Sequence, residues 1–259
     1  MMSSYAIGKT GVVAHRGASG QAPENTLSAI RLAIAMNVDF VEIDVQMTKD
    51  GHVIAIHDSS VDRTTDSSGP IEDFDLNAVQ SLDAGSWFDE KFKNEHVPTL
   101  DQILKLDFKN SKLIIEVKNP KNKFEGIEEK IQQLVELNKK KSKVVFKSFS
   151  RDVLKRFERL EPGISRLYVT IGSLFGLFVI DEWLRVGNVF DVKGIQYIQI
   201  HKFFLTKSIL KKAKERKIKV IVWDVHDEKT IVKFIKMGVD FIETDFPDKV
   251  LDITAISSS

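Results

Sequence analysis

Short runs rich in β-branched and aromatic residues recur along the chain, with amphipathic stretches between them. Eight runs predict strands: Val12–His15, Phe40–Val45, Leu113–Val117, Val144–Ser148, Ser165–Val169, Ile195–Ile200, Lys219–Trp223 and Phe241–Thr244. Their centres are nearly all apolar, the pattern of parallel strands covered on both faces. The spacers follow a 3.6-residue period. Leu27, Ile30, Ala33 and Ile34 share one stripe of Asn25–Met36, and Ile131, Leu134, Val135 and Leu137 share one of Glu128–Leu137. Asp152–Leu160, Ser208–Arg216 and Lys229–Met237 obey the same rule. Gly238 predicts a helix stop, and Asp245 ahead of Pro247 reads as an N-cap before an early helical proline. Strand–helix alternation repeated eight times predicts an α/β fold, a closed (β/α)8 barrel, as one domain over residues 1–259.

One segment breaks the rhythm. Asp50-Gly51 stands between two alternating runs, which predicts a β-hairpin running beyond strand 2 and returning His57 to the rim. A small irregular insertion follows at about residues 58–99, with helix resuming at Leu100–Leu106. After strand 5, the apolar run Leu174–Ile180 predicts a core-facing helix continuing to Trp183 and Leu184.

Composition narrows the function classes. Of 259 residues, 38 are Lys or Arg and 37 are Asp or Glu, so no basic arm or patch for nucleic acid is expected. There is no cysteine, which removes disulfides, thiolate metal sites and cysteine nucleophiles, and suits a reducing compartment. No signal-peptide pattern and no run long enough for a bilayer are seen, so a cytoplasmic protein without stable membrane insertion is expected.

In a barrel of this type the chemistry collects at the C-terminal ends of the strands. Glu42 and Asp44 lie two apart on strand 2 and so face the same side, while Ile43 packs outward. Two buried carboxylates call for a cation, and a hard divalent ion, Mg2+ or Ca2+, prefers oxygen ligands. Glu116 on the adjacent strand supplies a third. Ion pairing with Arg16 and Lys118 is the alternative partner for these acids. Arg16 and Lys118 together suit a phosphate, the one by paired donors and the other as a point charge. His15 and His57, which titrate nearest neutrality, form the natural acid–base pair.

The ordered set His15-Arg16-Gly17, Pro23-Glu24-Asn25-Thr26, Glu42-Ile43-Asp44, His57-Asp58, Arg63-Thr64-Thr65, Pro98-Thr99-Leu100, Glu116-Val117-Lys118 and Thr244-Asp245-Phe246-Pro247 closely resembles the glycerophosphodiester phosphodiesterase family, from about Val12 to Leu251. The resemblance implies a TIM-like barrel and metal-dependent hydrolysis of glycerophosphodiesters to sn-glycerol 3-phosphate and an alcohol. It implies Glu42, Asp44 and Glu116 as metal ligands, His15 and His57 as acid and base, Arg16 and Lys118 on the phosphate, and Trp223 lining the glycerol side. The chain departs from the family at Trp223-Asp224-Val225-His226, where Trp-Thr-Val-Asn is common. His226 reads as a surface-loop residue, His52 and His96 as non-catalytic, and His201 as a pocket candidate. Two other functions remain open at this stage. The apolar run after strand 5 suits an acyl chain, and hence lysophospholipase D-type cleavage of lysophospholipids. A barrel that binds a phosphodiester without turning it over is the other.

Overall fold

The computed structural model describes residues 10–119, 123–174, 178–181 and 184–256. Eight parallel strands close a barrel: β1 (Gly11–Ala14), β2 (Phe40–Met47), β4 (Lys112–Val117), β5 (Val144–Ser148), β6 (Ser165–Thr170), β10 (Tyr197–His201), β11 (Lys219–Trp223) and β12 (Phe241–Thr244). Their order is β1-β12-β11-β10-β6-β5-β4-β2, and the pairing of Val13 and Ala14 with Phe40 and Val41 shuts the ring. Outside it lie α1 (Leu27–Ala35), α3 (Leu100–Leu104), α4 (Ile127–Leu137), α5 (Arg151–Leu160), α6 (Lys207–Glu215), α7 (Glu228–Met237) and α8 (Pro247–Ile256).

Alternation along each strand makes two separate apolar layers. Val41, Ile43, Ile115, Phe146, Ile198, Val222 and Ile242 face outward and pack on helix residues such as Ile30, Ile131, Phe157 and Phe234. The opposite phase fills the barrel floor with Val13, Phe40, Ile114, Val145, Leu167, Val169, Ile221 and Phe241. One step further up the same inward phase, the side chains turn polar: Glu42, Glu116, Lys147, Gln199 and Glu243 are all buried. The apolar floor therefore sits beneath a charged storey, and the open mouth lies above that.

Helix starts follow local capping chemistry. Thr26, Thr206 and Asp227 each accept a hydrogen bond from a backbone N–H of the first turn, and Thr99 with Gln102 forms a reciprocal capping box at α3. Gly238 ends α7 in the left-handed region as expected, at φ 80°. The predicted Asp245 cap is not formed. The Asp245 carboxylate accepts from His15 Nδ1 at 2.7 Å and from Ser19 Oγ at 3.0 Å, so it serves the barrel mouth instead of the helix end.

The hairpin is present: β3 (Val53–Ala55) pairs antiparallel with the end of β2, with Gly51 at φ 83° in the turn. The insertion that follows carries α2 (Leu76–Ser81) and its own small core of Ile54, Ile56, Val61, Ile71, Val79, Ala84 and Val97. After β6 the predicted helix is replaced by an antiparallel sheet, β7 (Gly172–Leu174), β8 (Phe178–Ile180) and β9 (Leu184–Val186). Phe-Val-Ile and Leu-Arg-Val are strand-forming triplets, and pairing the three edges satisfies backbone groups that an isolated extended loop would leave open. Phe175–Leu177 and Trp183 of that expectation lie outside the described residues, as do Met1–Lys9 and Ser257–Ser259. Among the described residues no helix is long and apolar enough to cross a membrane.

Candidate active site at the C-terminal mouth of the barrel

Strand register brings the expected residues to one place. Asp44 lies opposite Glu116, which lies opposite Lys147. Carboxylate oxygens of Glu42, Asp44 and Glu116 lie within 4.8 Å of one another, and all three side chains are buried. Above them opens a cleft of about 210 Å³ lined by His15, Arg16, His57, Lys118, Trp223 and Gln199 among others. All eight residues anticipated for chemistry therefore belong to one connected site.

Each is held by a local device. After β1 the backbone turns left-handed at Arg16 (φ 55°) and Gly17 (φ 81°), so that their N–H groups reach Glu42 Oε2 at 3.0 Å and the Glu42 carbonyl at 3.1 Å. Gly17 is required there, since a Cβ would stand 2.6 Å from the Ala29 backbone. Asn25 closes on Asp44 from both sides: its Nδ2 donates to Oδ2 at 3.1 Å and its Oδ1 accepts from the Asp44 N–H at 3.0 Å. His57 reaches the rim because Ile56 N–H bonds the Asp44 carbonyl at 3.0 Å and Gln46 Nε2 donates to the His57 carbonyl at 2.8 Å.

The two histidines are held alike and charged differently. His57 Nδ1 faces Asp58 Oδ1 at 2.6 Å, as His15 Nδ1 faces Asp245, so both Nε2 atoms are left for the cleft. Burial opposes charge on His15, but the bond to Asp245 and the fields of Glu243 and Glu42 prevail and lift its pKa to about 9. At His57 burial prevails with help from Lys118 and Arg16, and the pKa falls below the ordinary value despite Asp44 and Asp58. Arg63 steadies the second pair from behind, donating to Asp58 at 2.7 Å and to Glu24 at 2.7 and 2.8 Å.

Cations are interleaved with the acids. Burial would raise the Asp44 pKa, but Lys118 and Arg16 at 3.1 Å each hold it well below the usual range. Lys118 also pairs with Glu116. Lys147 is 2% exposed and its ammonium contacts Glu42 at 2.9 Å, Glu116 at 2.9 Å and Glu243 at 3.4 Å. Desolvation alone would lower its pKa; the three carboxylates raise it well above the ordinary lysine value.

Several site residues went unassigned in the sequence: Lys147, Glu243, Gln199, and Asp58 and Asp245 as histidine partners. The signal for the first three was available. Lys147 and Glu243 are each the only charged residue of a barrel strand and Gln199 stands between Ile198 and Ile200, all three in phase with the floor residues two positions earlier. His226 is no surface-loop residue. It lines the cleft, where its Nε2 lies 2.7 Å from Asp224 Oδ1 and its Nδ1 accepts from the Asp245 N–H at 3.4 Å. His201 packs edge-on against Trp223 at 5.0 Å. His96 bonds the Leu82 carbonyl and His52 stands beside Asp50 in the hairpin turn, both away from the cleft as expected.

Residues 15–249 match the family model described as the glycerophosphoryl diester phosphodiesterase family. The chain belongs to that family. A glycerophosphodiester phosphodiesterase of Caldanaerobacter subterraneus is 33% identical over 248 residues, covering 95% of this chain and 98% of the relative. One from Bacillus altitudinis is 32% identical over 246 residues, covering 94% and 98%. The solved structure of an Oleispira antarctica phosphodiesterase in complex with the product sn-glycerol-3-phosphate superposes with a TM-score of 0.79 at 30% identity, covering 95% of this chain and 96% of that one.

Proposed function

We propose that this single-domain protein hydrolyses glycerophosphodiesters to sn-glycerol 3-phosphate and an alcohol with the help of a bound divalent cation. The observation that carries the reading is the convergence of three buried carboxylates, two cations and two histidines on one cleft. The donor set fits a hard metal ion: three buried carboxylates offer oxygen ligands only, with no sulfur or nitrogen among them. Mg2+ or Ca2+ held by Glu42, Asp44 and Glu116 would supply Lewis-acid stabilisation of the phosphoryl oxygens.

The remaining roles follow from this chain's own groups. Arg16 and the partly exposed Lys118 face the cleft and bind the phosphate charge. Trp223 forms an apolar wall with Phe149, their ring centroids 6.2 Å apart, against which the glycerol carbons rest. Gln199 Oε1 is a buried acceptor with no hydrogen-bond partner among the described residues and suits a substrate hydroxyl. Opposite pKa displacements divide the proton work. His57, the more readily neutral imidazole, takes the proton of the attacking hydroxyl, and His15, kept protonated by Asp245, delivers one to the leaving alcohol.

A second reading, cleavage of lysophospholipids at the same bond, draws on one feature. His201 packs on Trp223, and Phe203, 80% exposed, packs on His201 at 4.9 Å, so an apolar path leads outward from the pocket wall. The convergence of three carboxylates, two histidines and two cations on one cleft argues against a barrel that only binds. The test compares glycerophosphocholine with lysophosphatidylcholine, before and after chelation. Release of glycerol 3-phosphate and choline that needs added metal supports the main reading; turnover of the lysolipid alone moves the assignment to the second. Tight binding of both without hydrolysis, across several metals, overturns both.

A further inference from the structure

Lys147 enters neither the phosphate site nor the acid–base pair, yet it is the most enclosed cation in the charged storey. Its three N–H donors are spent on three carboxylates, two of which are candidate metal ligands. It takes one named oxygen from each, Glu42 Oε1 and Glu116 Oε2, both at 2.9 Å. The other oxygens lie on the mouth side, where Glu42 Oε2 accepts from the Arg16 backbone N–H at 3.0 Å and Glu116 Oε1 pairs with Lys118. The two lysines differ in freedom. Lys118 keeps 22% of its side chain exposed and can turn toward an anion, whereas Lys147 keeps 2% and is enclosed by its three carboxylates.

We propose that Lys147, a positioning residue, restricts Glu42 and Glu116 to one metal-facing oxygen each and thereby selects a small six-coordinate cation over Ca2+. A dication bound to an oxygen already paired with an ammonium would stand within about 5 Å of that ammonium, where the two charges repel in a poorly screened interior. At Glu116 Oε1 that repulsion is relieved when the freer Lys118 turns to the phosphate, whereas the oxygens held by the enclosed Lys147 get no such relief, so bidentate binding is closed to both glutamates. Ca2+ gains most from bidentate carboxylates and high coordination number, while Mg2+ and Mn2+ accept three single oxygens and keep waters in the remaining positions. Glu243 completes the device. Its Oε2 takes the third donor of Lys147, and its Oε1 is fixed by Gln199 Nε2 at 2.6 Å, so the ammonium cannot slide from beneath the ligands.

This inference rests on the metal-site reading above, and the experiment separates the two. Binding of Mn2+, Mg2+ and Ca2+ to the whole chain is measured by calorimetry and by competition against the Mn2+ spin-resonance signal, without substrate. The unaltered protein is expected to bind Mn2+ and Mg2+ more tightly than Ca2+. Lys147→Met paired with Glu243→Gln removes one buried cation and one buried anion together, which preserves the charge balance and leaves Gln199 an acceptor. The ratio of Ca2+ to Mg2+ affinity is expected to rise by about tenfold or more, the usual scale of changes behind metal ligands. Metal binding with an unchanged ratio in the double variant overturns the role of Lys147. So does a Ca2+ preference in the unaltered protein, a result that stands even if the variant fails to fold. If no divalent ion binds the unaltered protein at all, the metal-site reading itself is lost.

Discussion

Replacing Asp245 by Asn tests how the cleft divides its protons. The substitution keeps size and shape but removes the anion 2.7 Å from His15 Nδ1. In the intact site the His15 pKa stands near 9 against an ordinary 6.5, a net preference for the imidazolium of about 3 kcal/mol. That surplus exists because Asp245, Glu243 and Glu42 outweigh the cost of burial. Without Asp245 the burial cost and the nearby Arg16 are opposed only by Glu243 and Glu42, and the His15 pKa is expected to fall by about two units, the middle of the range for one close opposite charge. If His15 is the acid, the alkaline limb of kcat/KM moves down by about two pH units, and the rate at pH 8 falls by about tenfold while the rate at pH 6 changes little. The sign for stability follows the same linkage. A raised folded pKa contributes stability that is complete below pH 6.5 and is lost as pH rises toward 9, so Asp245→Asn destabilises most at the acid end of that window. Histidine NMR titration of the folded protein reads the pKa directly, and chemical denaturation at pH 6 and pH 9 reads the stability. An alkaline limb that stays in place in Asp245→Asn would refute the assignment of His15 as the acid.

Other perturbations have equally definite outcomes. His15→Ala and His57→Ala should each lower kcat by about 10²-fold or more with folding intact, checked by steady-state kinetics beside circular dichroism. Arg63→Ala frees Asp58, whose pKa near 2 depends first on the Arg63 hydrogen bond. The loss of His57 orientation should lower kcat by about tenfold with KM little changed, and unaltered kcat would show that Arg63 does not act through His57. Gly17→Ala forces a Cβ against Ala29 at φ 81° and should cost about 1–3 kcal/mol or more in denaturant unfolding, whereas a neutral result would mean the β1–α1 turn has room to adjust. Trp223→Ala should raise KM for glycerophosphocholine more than it lowers kcat, since the ring offers a surface and no proton.

Much of this arrangement was legible in the chain because it is periodic. Strands buried on both faces show as apolar runs, and Glu42 and Asp44 betray their common direction by spacing alone. The β6–β10 connection reads as helical in the sequence because a short apolar run carries no decisive period, and only the pairing of Gly172–Leu174 with Phe178–Ile180 decides it. Asp245 hides its role for a related reason. An acid two residues before a proline is a common helix cap, and nothing local announces that His15, 230 positions away, competes for the same carboxylate. Lys147 and Glu243 stand alone in apolar strands, but their mutual pairing is a property of barrel closure, which sequence spacing does not encode.

The central claim, that Glu42, Asp44 and Glu116 hold a divalent cation where the phosphate is attacked, is tested most directly by anomalous diffraction from crystals soaked in Mn2+ and sn-glycerol 3-phosphate. The account predicts one strong anomalous peak bounded by oxygens of those three residues, with the phosphate touching the ion, Arg16 and Lys118. A clean map with the phosphate bound and no peak among the three carboxylates, or a peak held by other residues, would contradict it.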